Sequence, residues 1–502
     1  MHGSRVVAMI ASAVLAGSLA SGAPLTASAA TPPAPTPVVQ GARLVDSRTG
    51  AVFVPRGVDF PSFEYACSQG WGYSNGGDTA AAAKAMHDWG VTTVRLPLNE
   101  GCWTGQNSEP AFGDRAGYQS AVRSWVATLH SQGIVVILDL HWTRPPGAAD
   151  YEQYAAPSTN SLAFWTSVAG TFASDPSVMF DLFNEPYSVW DEASNDHYAF
   201  SLDWSCWRDG GCHPPTSDQN SDPSTWHGTY TAVGMQQLVT AVRAAGARQP
   251  IVLSGLDYAN DLGGWWAHRP DDAQLVAGYH GYEGNLCSTT ACWSSTLAAL
   301  AQHVPIIAGE FGSTSGHASY LTDLMTWADA HGMGYLAWAW WGSDSDGGPN
   351  RYITLLADDT TFAPASPIGT TLRSHLLAIA HPTTAPAPPR PAPKPASRPA
   401  RGSLVAVGKV HRGHFTASGW ALDPDTTKGA VRVTVSIDGK GRTTVTASKL
   451  RRPAPGNGAW GAHHGFSVRL LAHRHGRHRV CATALDYHGT KRTPLGCLWV
   501  RT

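Results

Sequence analysis

Beyond Ala30 no stretch of this sequence is apolar enough to cross a bilayer, which argues against a membrane span. No Cys-x-x-Cys occurs among its eight cysteines, so thiolate metal ligation has little support. No glycine-rich loop follows an early strand, which weighs against a doubly wound nucleotide-binding sheet. The first apolar strand, Arg56–Phe60, lacks the paired histidines wanted by a metal-dependent barrel hydrolase. The basic C-terminal tail carries no nucleic-acid recognition motif. These absences leave chemistry that side chains alone can supply: no cofactor, no metal and no nucleic acid are expected.

What is present points to export. Arg5 precedes an apolar stretch from Val6 to Leu19, and Ala27-Ser28-Ala29 is a small-x-small cleavage site. Residues 1–29 therefore read as a secretory signal peptide and the protein as extracellular. The even cysteine count agrees with disulfides in an exported chain. By proximity they pair as Cys206/Cys212, Cys287/Cys292 and Cys481/Cys497, with Cys67 and Cys102 paired by elimination.

The net charge of −2 hides an asymmetry. From His381 onward there are 20 basic and 4 acidic side chains, against 15 basic and 33 acidic before it. An acidic body with a basic tail suits an anionic cell-wall or glycan surface as the tail's partner, or the bias serves solubility alone.

Along the chain, 30–41 is a Pro-rich leader expected to be unstructured. Leu44–Asp46 and Val52–Val54 flank a turn and predict a hairpin closing the bottom of a barrel. Short apolar strands then alternate with helical stretches, the signature of a (β/α)8 TIM barrel over 42–380. Strands are expected near Arg56–Phe60, Thr93–Pro97, Val135–His141, Val178–Glu185, Ile251–Ser254, Leu275–His280, Ile306–Glu310 and Gly334–Trp340. Among the helices, Thr229–Ala245 has apolar residues at helical spacing. Residues 381–401 form a Pro/Ala-rich linker, and 402–502 alternate as a small all-β, sandwich-like module.

Two expected strand ends carry the chemistry. Phe180-Asp181-Leu182-Phe183-Asn184-Glu185-Pro186 stops at a proline that cannot continue the ladder, and Val304–Gly312 ends in Gly309-Glu310-Phe311-Gly312. Carboxylates at the C-terminal ends of barrel strands are suited to catalysis, and a pair of them suits glycosidic bond cleavage.

Here the sequence resembles glycoside hydrolase family 5, a retaining family with many secreted cellulases, over roughly Val54 to Ala380. The resemblance rests on Val94-Arg95-Leu96-Pro97, Leu138-Asp139-Leu140-His141-Trp142, Asn184-Glu185-Pro186, His280-Gly281-Tyr282, Gly309-Glu310-Phe311-Gly312 and Trp338-Ala339-Trp340-Trp341. It implies Glu185 as acid/base and Glu310 as nucleophile, with Arg95, His141, Asn184, His280, Tyr282 and one tryptophan around the sugar. Trp340 is chosen by its spacing before Asp344, with Trp338 the alternative. Arg95 and Tyr282 are expected to stabilise ionised Glu310, whose charge raises the Glu185 pKa.

The function expected is a secreted retaining β-glycoside hydrolase of endoglucanase type, a monomer acting on a carbohydrate, β-glucan or cellulose-like first. Mannan, galactan or a diglycoside is the alternative, and a glycan-binding barrel without catalysis the competing class. Loop aromatics, among them Phe63, Tyr65, Trp71, Trp103, Trp142, Tyr258, Trp265 and Trp266, are candidate sugar platforms. Asn99, Glu100 and Glu64 are candidates either for sugar hydroxyls or for loop capping. The long loop from Tyr187 to about His227 is expected to wall off part of the cleft, favouring short or branched substrates. The C-terminal module resembles a repeat of secreted actinobacterial proteins through Gly419–Asp425, His464-Gly465-Phe466 and Gly496-Cys497.

Overall fold

The computed structural model describes residues 31–106, 113–148, 151–190, 198–216, 228–342, 353–381, 400–409, 414–423, 431–449, 464–471, 476–485 and 492–501. The signal peptide, nearly all of the linker and Asp344 lie outside the described residues. The chain divides into two compact units, ending and beginning at Thr383 and Thr384.

The first unit is a closed barrel of eight parallel strands. In chain order they are β1 (Arg56–Asp59), β2 (Thr93–Asn99), β3 (Val135–Trp142), β4 (Val178–Asp181), β5 (Ile251–Ser254), β6 (Leu275–Tyr282), β7 (Ile306–Gly312) and β8 (Gly334–Ala337). Both faces of these strands are covered, which is why β3 reads Val-Val-Ile-Leu with no alternation. The inward residues Val135, Ile137, Met179, Val252, Val276, Ile307 and Leu336 fill the lower barrel, and Leu44 and Phe53 join them from below. The N-terminal plug is therefore real.

Three local expectations are corrected. Pro37–Gln40 is not free leader but a strand on Arg43–Asp46; Gln274 accepts from the Val39 N–H at 2.8 Å, and buried Asp46 accepts from Thr36. The helix expected from Thr229 begins only at Met235, because Ala232 and Val233 are spent in extended pairing with Cys212 and Gly210. The fourth strand stops at Asp181 rather than Glu185, although Leu182 and Phe183 remain buried.

All four disulfides have the expected pairing: Cys67–Cys102, Cys206–Cys212, Cys287–Cys292 and Cys481–Cys497. Among the described residues no helix is long and apolar enough to cross a membrane.

The second unit is all-β. Strands β9 (Arg401–Lys409), β10 (His414–Leu422) and β13 (Gly465–Leu471) form one sheet. Strands β12 (Lys440–Thr446), β11 (Arg432–Ile437), β14 (Arg477–Leu485) and β15 (Arg492–Arg501) form the other, in that order. One apolar cluster draws on both sheets, with Phe415 and Val468 from the first and Val433, Val435 and Val480 from the second, as in a sandwich.

Candidate active site

The side chain of Arg95, on β2, is fully buried. A buried cation needs anions, and four carboxylates, from β1, β3, β4 and β7, surround it. Nε donates to Asp181 at 2.9 Å; Nη1 donates to Glu310 at 2.8 Å and to Asp59 at 3.2 Å. Nη2 donates to Asn184 Oδ1 at 2.7 Å and lies 3.1 Å from Asp139. One guanidinium cannot neutralise four carboxylates. Burial lifts Asp139 to about 7 and pushes Asp59 and Asp181 well above the usual range, against the lowering pull of Arg95. The cluster therefore shares protons at neutral pH.

Glu310 has the best donors of the set. Arg95 engages Oε1, and the Tyr282 hydroxyl donates to Oε2 at 2.7 Å. Burial drives the Tyr282 hydroxyl pKa far up, with the Glu310 charge adding to it, so the phenol stays a donor.

Glu185 lies beyond β4, yet its backbone is held. The Leu182 N–H donates to Val252 at 3.2 Å and the Asn184 N–H to Leu140 at 3.1 Å, clamping the segment between β5 and β3. The Glu185 side chain is 14% exposed. Burial raises its pKa to about 7, opposed by His141 and Arg95. Burial, rather than the Glu310 charge, is thus the leading cause.

His280 joins the two glutamates: Nδ1 is 2.7 Å from Glu185 Oε1 and 3.6 Å from Glu310 Oε2. Oxygens of Glu185 and Glu310 and a nitrogen of His280 all lie within 4.8 Å of one another. His141 is anchored at Nδ1 by Asp139 at 2.7 Å, with Nε2 facing Gln153 at 3.1 Å and the Asn184 amide at 3.5 Å. Burial lowers both histidines, His141 to about 4 and His280 to about 3, so both rings are neutral at pH 7. The Glu185/His280/Glu310 trio is the one set among the described residues with metal-ligand spacing. A cation there would sit beside the Arg95 guanidinium, on a carboxylate whose two oxygens already accept hydrogen bonds, so the donor set fits a metal poorly.

Seven of the eight expected residues, Arg95, His141, Asn184, Glu185, His280, Tyr282 and Glu310, converge here. Trp340 is placed elsewhere: it is 4% exposed and packs on Trp89 at 4.7 Å and on Phe362 at 6.2 Å. The tryptophan facing the cluster is Trp338, stacked on His141 at 5.5 Å and 17°. Asn99, Glu100 and Glu64 act as loop caps. Asn99 accepts from the Gly101 and Cys102 N–H groups, Glu100 from Ser161 and Arg144, and Glu64 from the Ser62 N–H. Phe63, Trp103 and Trp265 are core residues. The residues that sequence reasoning missed are Asp59, Asp139 and Asp181. Their signal is an acid inside an apolar strand, as in Phe180-Asp181-Leu182.

Aromatic rings flank the cluster. Trp71, Tyr65 and Trp142 follow one another at centroid spacings of 5.8 and 6.2 Å, and with Trp341 they line a cleft of about 410 Å³ that also holds Gln69, Asn75 and Asp359. On another side Tyr258 stacks on Tyr187 at 4.8 Å and 6°. Asp257, Tyr258 and Ala259 all have left-handed φ, of 52°, 57° and 59°. That conformation costs about 1–3 kcal/mol per non-glycine residue. Cross-links hold the turn: the Tyr258 N–H donates to Pro186 at 3.1 Å, and Asn260 donates to the His280 carbonyl at 2.9 Å. Tyr258 is close enough to Glu185 for that charge to raise its pKa, behind burial as the main cause, to about 12.

Comparison with known proteins fits this arrangement. The family described as Cellulase (glycosyl hydrolase family 5) matches residues 55–344. No curated protein matches the chain. Among solved structures, the β-glucanase SdGluc5_26A of Saccharophagus degradans is similar in its native form, at 18% identity and a TM-score of 0.51, over 70% of this chain and 95% of that one. The same enzyme in complex with cellotetraose gives the same values. With the barrel, the strand-end cluster and a family match over more than half of its length, the chain belongs to glycosyl hydrolase family 5, the cellulase family, and is a glycoside hydrolase.

Proposed function

We propose that this protein is a secreted retaining β-glycoside hydrolase working by double displacement, with Glu310 as nucleophile and Glu185 as acid/base. The observation that carries the reading is the approach of Glu185 and Glu310 oxygens to within 4.8 Å, while Arg95 and Tyr282 hold both oxygens of Glu310. Carboxyls about 5–5.5 Å apart suit retention; inversion needs about 6.5–9.5 Å to admit a water.

In the first step a Glu310 oxygen attacks the anomeric carbon as the glycosidic C–O bond breaks, and Glu185 passes its proton to the leaving oxygen. Its pKa of about 7 keeps that proton available at neutral pH. Glu185, now ionised and hydrogen-bonded by His280, then removes a proton from water, which attacks the same carbon and frees Glu310. The Asn184 carbonyl oxygen is occupied by Arg95, so the amide N–H remains for the sugar 2-hydroxyl. Trp338, rather than Trp340, is the sugar platform beside His141.

Substrate is proposed as a β-glucan or its oligosaccharides, with cellotetraose the first to try. The Tyr187/Tyr258 stack beside Glu185 supports a walled leaving-group side and hence short or branched substrates; residues 191–197 and 217–227 of the expected loop lie outside the described residues. Residues 1–29 are proposed as the export signal and 381–401 as a linker.

Reducing-sugar release should be followed on cellotetraose, mixed-linkage glucan, mannan, galactan and aryl diglycosides. Hydrolysis of at least one, abolished in Glu310→Ala, is expected. Binding without hydrolysis across the panel would support the non-catalytic barrel instead.

A further inference from the structure

The surface of the C-terminal module has its own chemistry, independent of the barrel. In a strand, alternate residues share a face, and register partners share it across strands. On β14 the outward series begins Arg477, Arg479, Cys481, and the residues between, His478, Val480 and Ala482, are buried. Register places Arg501 opposite Arg477 and Trp499 opposite Arg479. Farther along the same face, Leu485 lies between Arg432 and Arg492. Five arginines thus share one face of the β12-β11-β14-β15 sheet.

Among the described residues no carboxylate pairs with their side chains. The module's described carboxylates are Asp423, which is buried, and Asp438, which accepts from the Arg479 N–H and pairs with His478, both at 2.8 Å. Among the described residues none of the five arginine side chains forms an ion pair. Arg477 opposite Arg501 is an unfavourable cross-strand pair that an anion between them would relieve. Two further features favour sugar over a plain anionic layer. Arg432 and Arg492 border a depression of about 180 Å³ that Thr434, Thr444 and Thr483 also line, the first two joined by a hydroxyl–hydroxyl hydrogen bond at 3.0 Å. Trp499 is 55% exposed, with the Arg477 guanidinium over its ring, 4.6 Å from the centre, a flat apolar plate with a charge held against its face.

We propose that this sheet face binds an anionic polysaccharide, with the arginines on its carboxylate or phosphate groups and Trp499 against a sugar ring. The other sheet has one exposed arginine on β13, Arg469, which serves as a control.

The test uses the full chain and soluble polygalacturonate, an α-linked uronate polymer that is no substrate for a β-glucan hydrolase, with neutral dextran and phosphatidylglycerol vesicles alongside. Affinity electrophoresis should show binding to polygalacturonate but not dextran, weakening about tenfold or more between about 50 and 200 mM salt as screening sets in. Arg432→Gln/Arg492→Gln and, separately, Trp499→Ala should each weaken it at least about fivefold, the order expected for loss of one or two contacts. Arg469→Gln should leave it unchanged, and all variants should keep wild-type hydrolysis by the barrel. Equal binding to dextran, loss with Arg469→Gln as large as with the paired variant, unchanged binding in both face variants, or binding to vesicles alone would each overturn the proposal. None of these outcomes bears on the hydrolase reading, which the glucan panel tests separately.

Discussion

Arg95 Nη1 and Glu310 Oε1 meet at 2.8 Å, joining a guanidinium on β2 to a carboxylate on β7. The same guanidinium holds Asn184, so one side chain from the middle of β2 sets the positions of two groups that face the sugar. Arg95→Lys keeps the charge but cannot span these partners. Its kcat/KM should fall about a hundredfold or more, the order seen when one preorganised electrostatic contact is lost. Steady-state kinetics with a folded-state check by circular dichroism decides it.

Protonation of Glu185 sets the alkaline limb of activity. Because the first step uses its acid form and its pKa is raised to about 7, kcat/KM should decline as pH rises through about 7. With its proton on Nδ1, His280 donates to Glu185 and favours the ionised form, so His280→Ala should move the limb to higher pH. A pH–rate profile in which that limb stays put or moves down contradicts the assignment.

Leaving groups separate the two roles. Glu185→Ala should lose about 10²–10⁴-fold on unactivated glucans, where the departing oxygen needs a proton. Dinitrophenyl glycosides need none, and their glycosylation step should be nearly unaffected. Equal loss on both substrate types in pre-steady-state assays would argue against Glu185 as the acid.

The two tryptophans after β8 should behave oppositely. Trp338→Ala should raise KM or lower kcat with little change in Tm. Trp340→Ala opens a cavity between Trp89 and Phe362 and should cost about 3–5 kcal/mol of stability. Denaturant melts beside kinetics separate them.

Glu64 offers a stability test. Burial raises its pKa to about 8 from 4.5. The folded state binds this proton more tightly than the unfolded chain, so the contribution is intact below about 4.5 and is lost as pH rises towards 8. Glu64→Gln, which retains an oxygen acceptor for the Ser62 N–H, should flatten the fall in Tm over that window. An unchanged slope would place the titrating groups elsewhere.

The barrel was legible because parallel strands buried on both faces appear as apolar runs with a polar residue at the end. Boundaries were less so. Leu182 and Phe183 prolong the apolar run after the β4 ladder has ended, and Ala232 fits a helical period while pairing as extended chain. Periodicity reports that a residue is buried, not which neighbour buries it. The same limit hid Asp59, Asp139 and Asp181, whose common partner, Arg95, comes from another strand. It also favoured Trp340 over Trp338, since both precede the same loop and only the packing of Trp340 on Trp89 tells them apart.

Retention at the anomeric carbon is the central claim, and proton NMR of the first minutes of hydrolysis reads it directly. On the best substrate of the panel, wild-type enzyme should release the β-anomer first, with the α-anomer growing only by mutarotation and neither appearing with Glu310→Ala. An α-anomer formed first would contradict the pairing of Glu185 with Glu310 as acid and nucleophile.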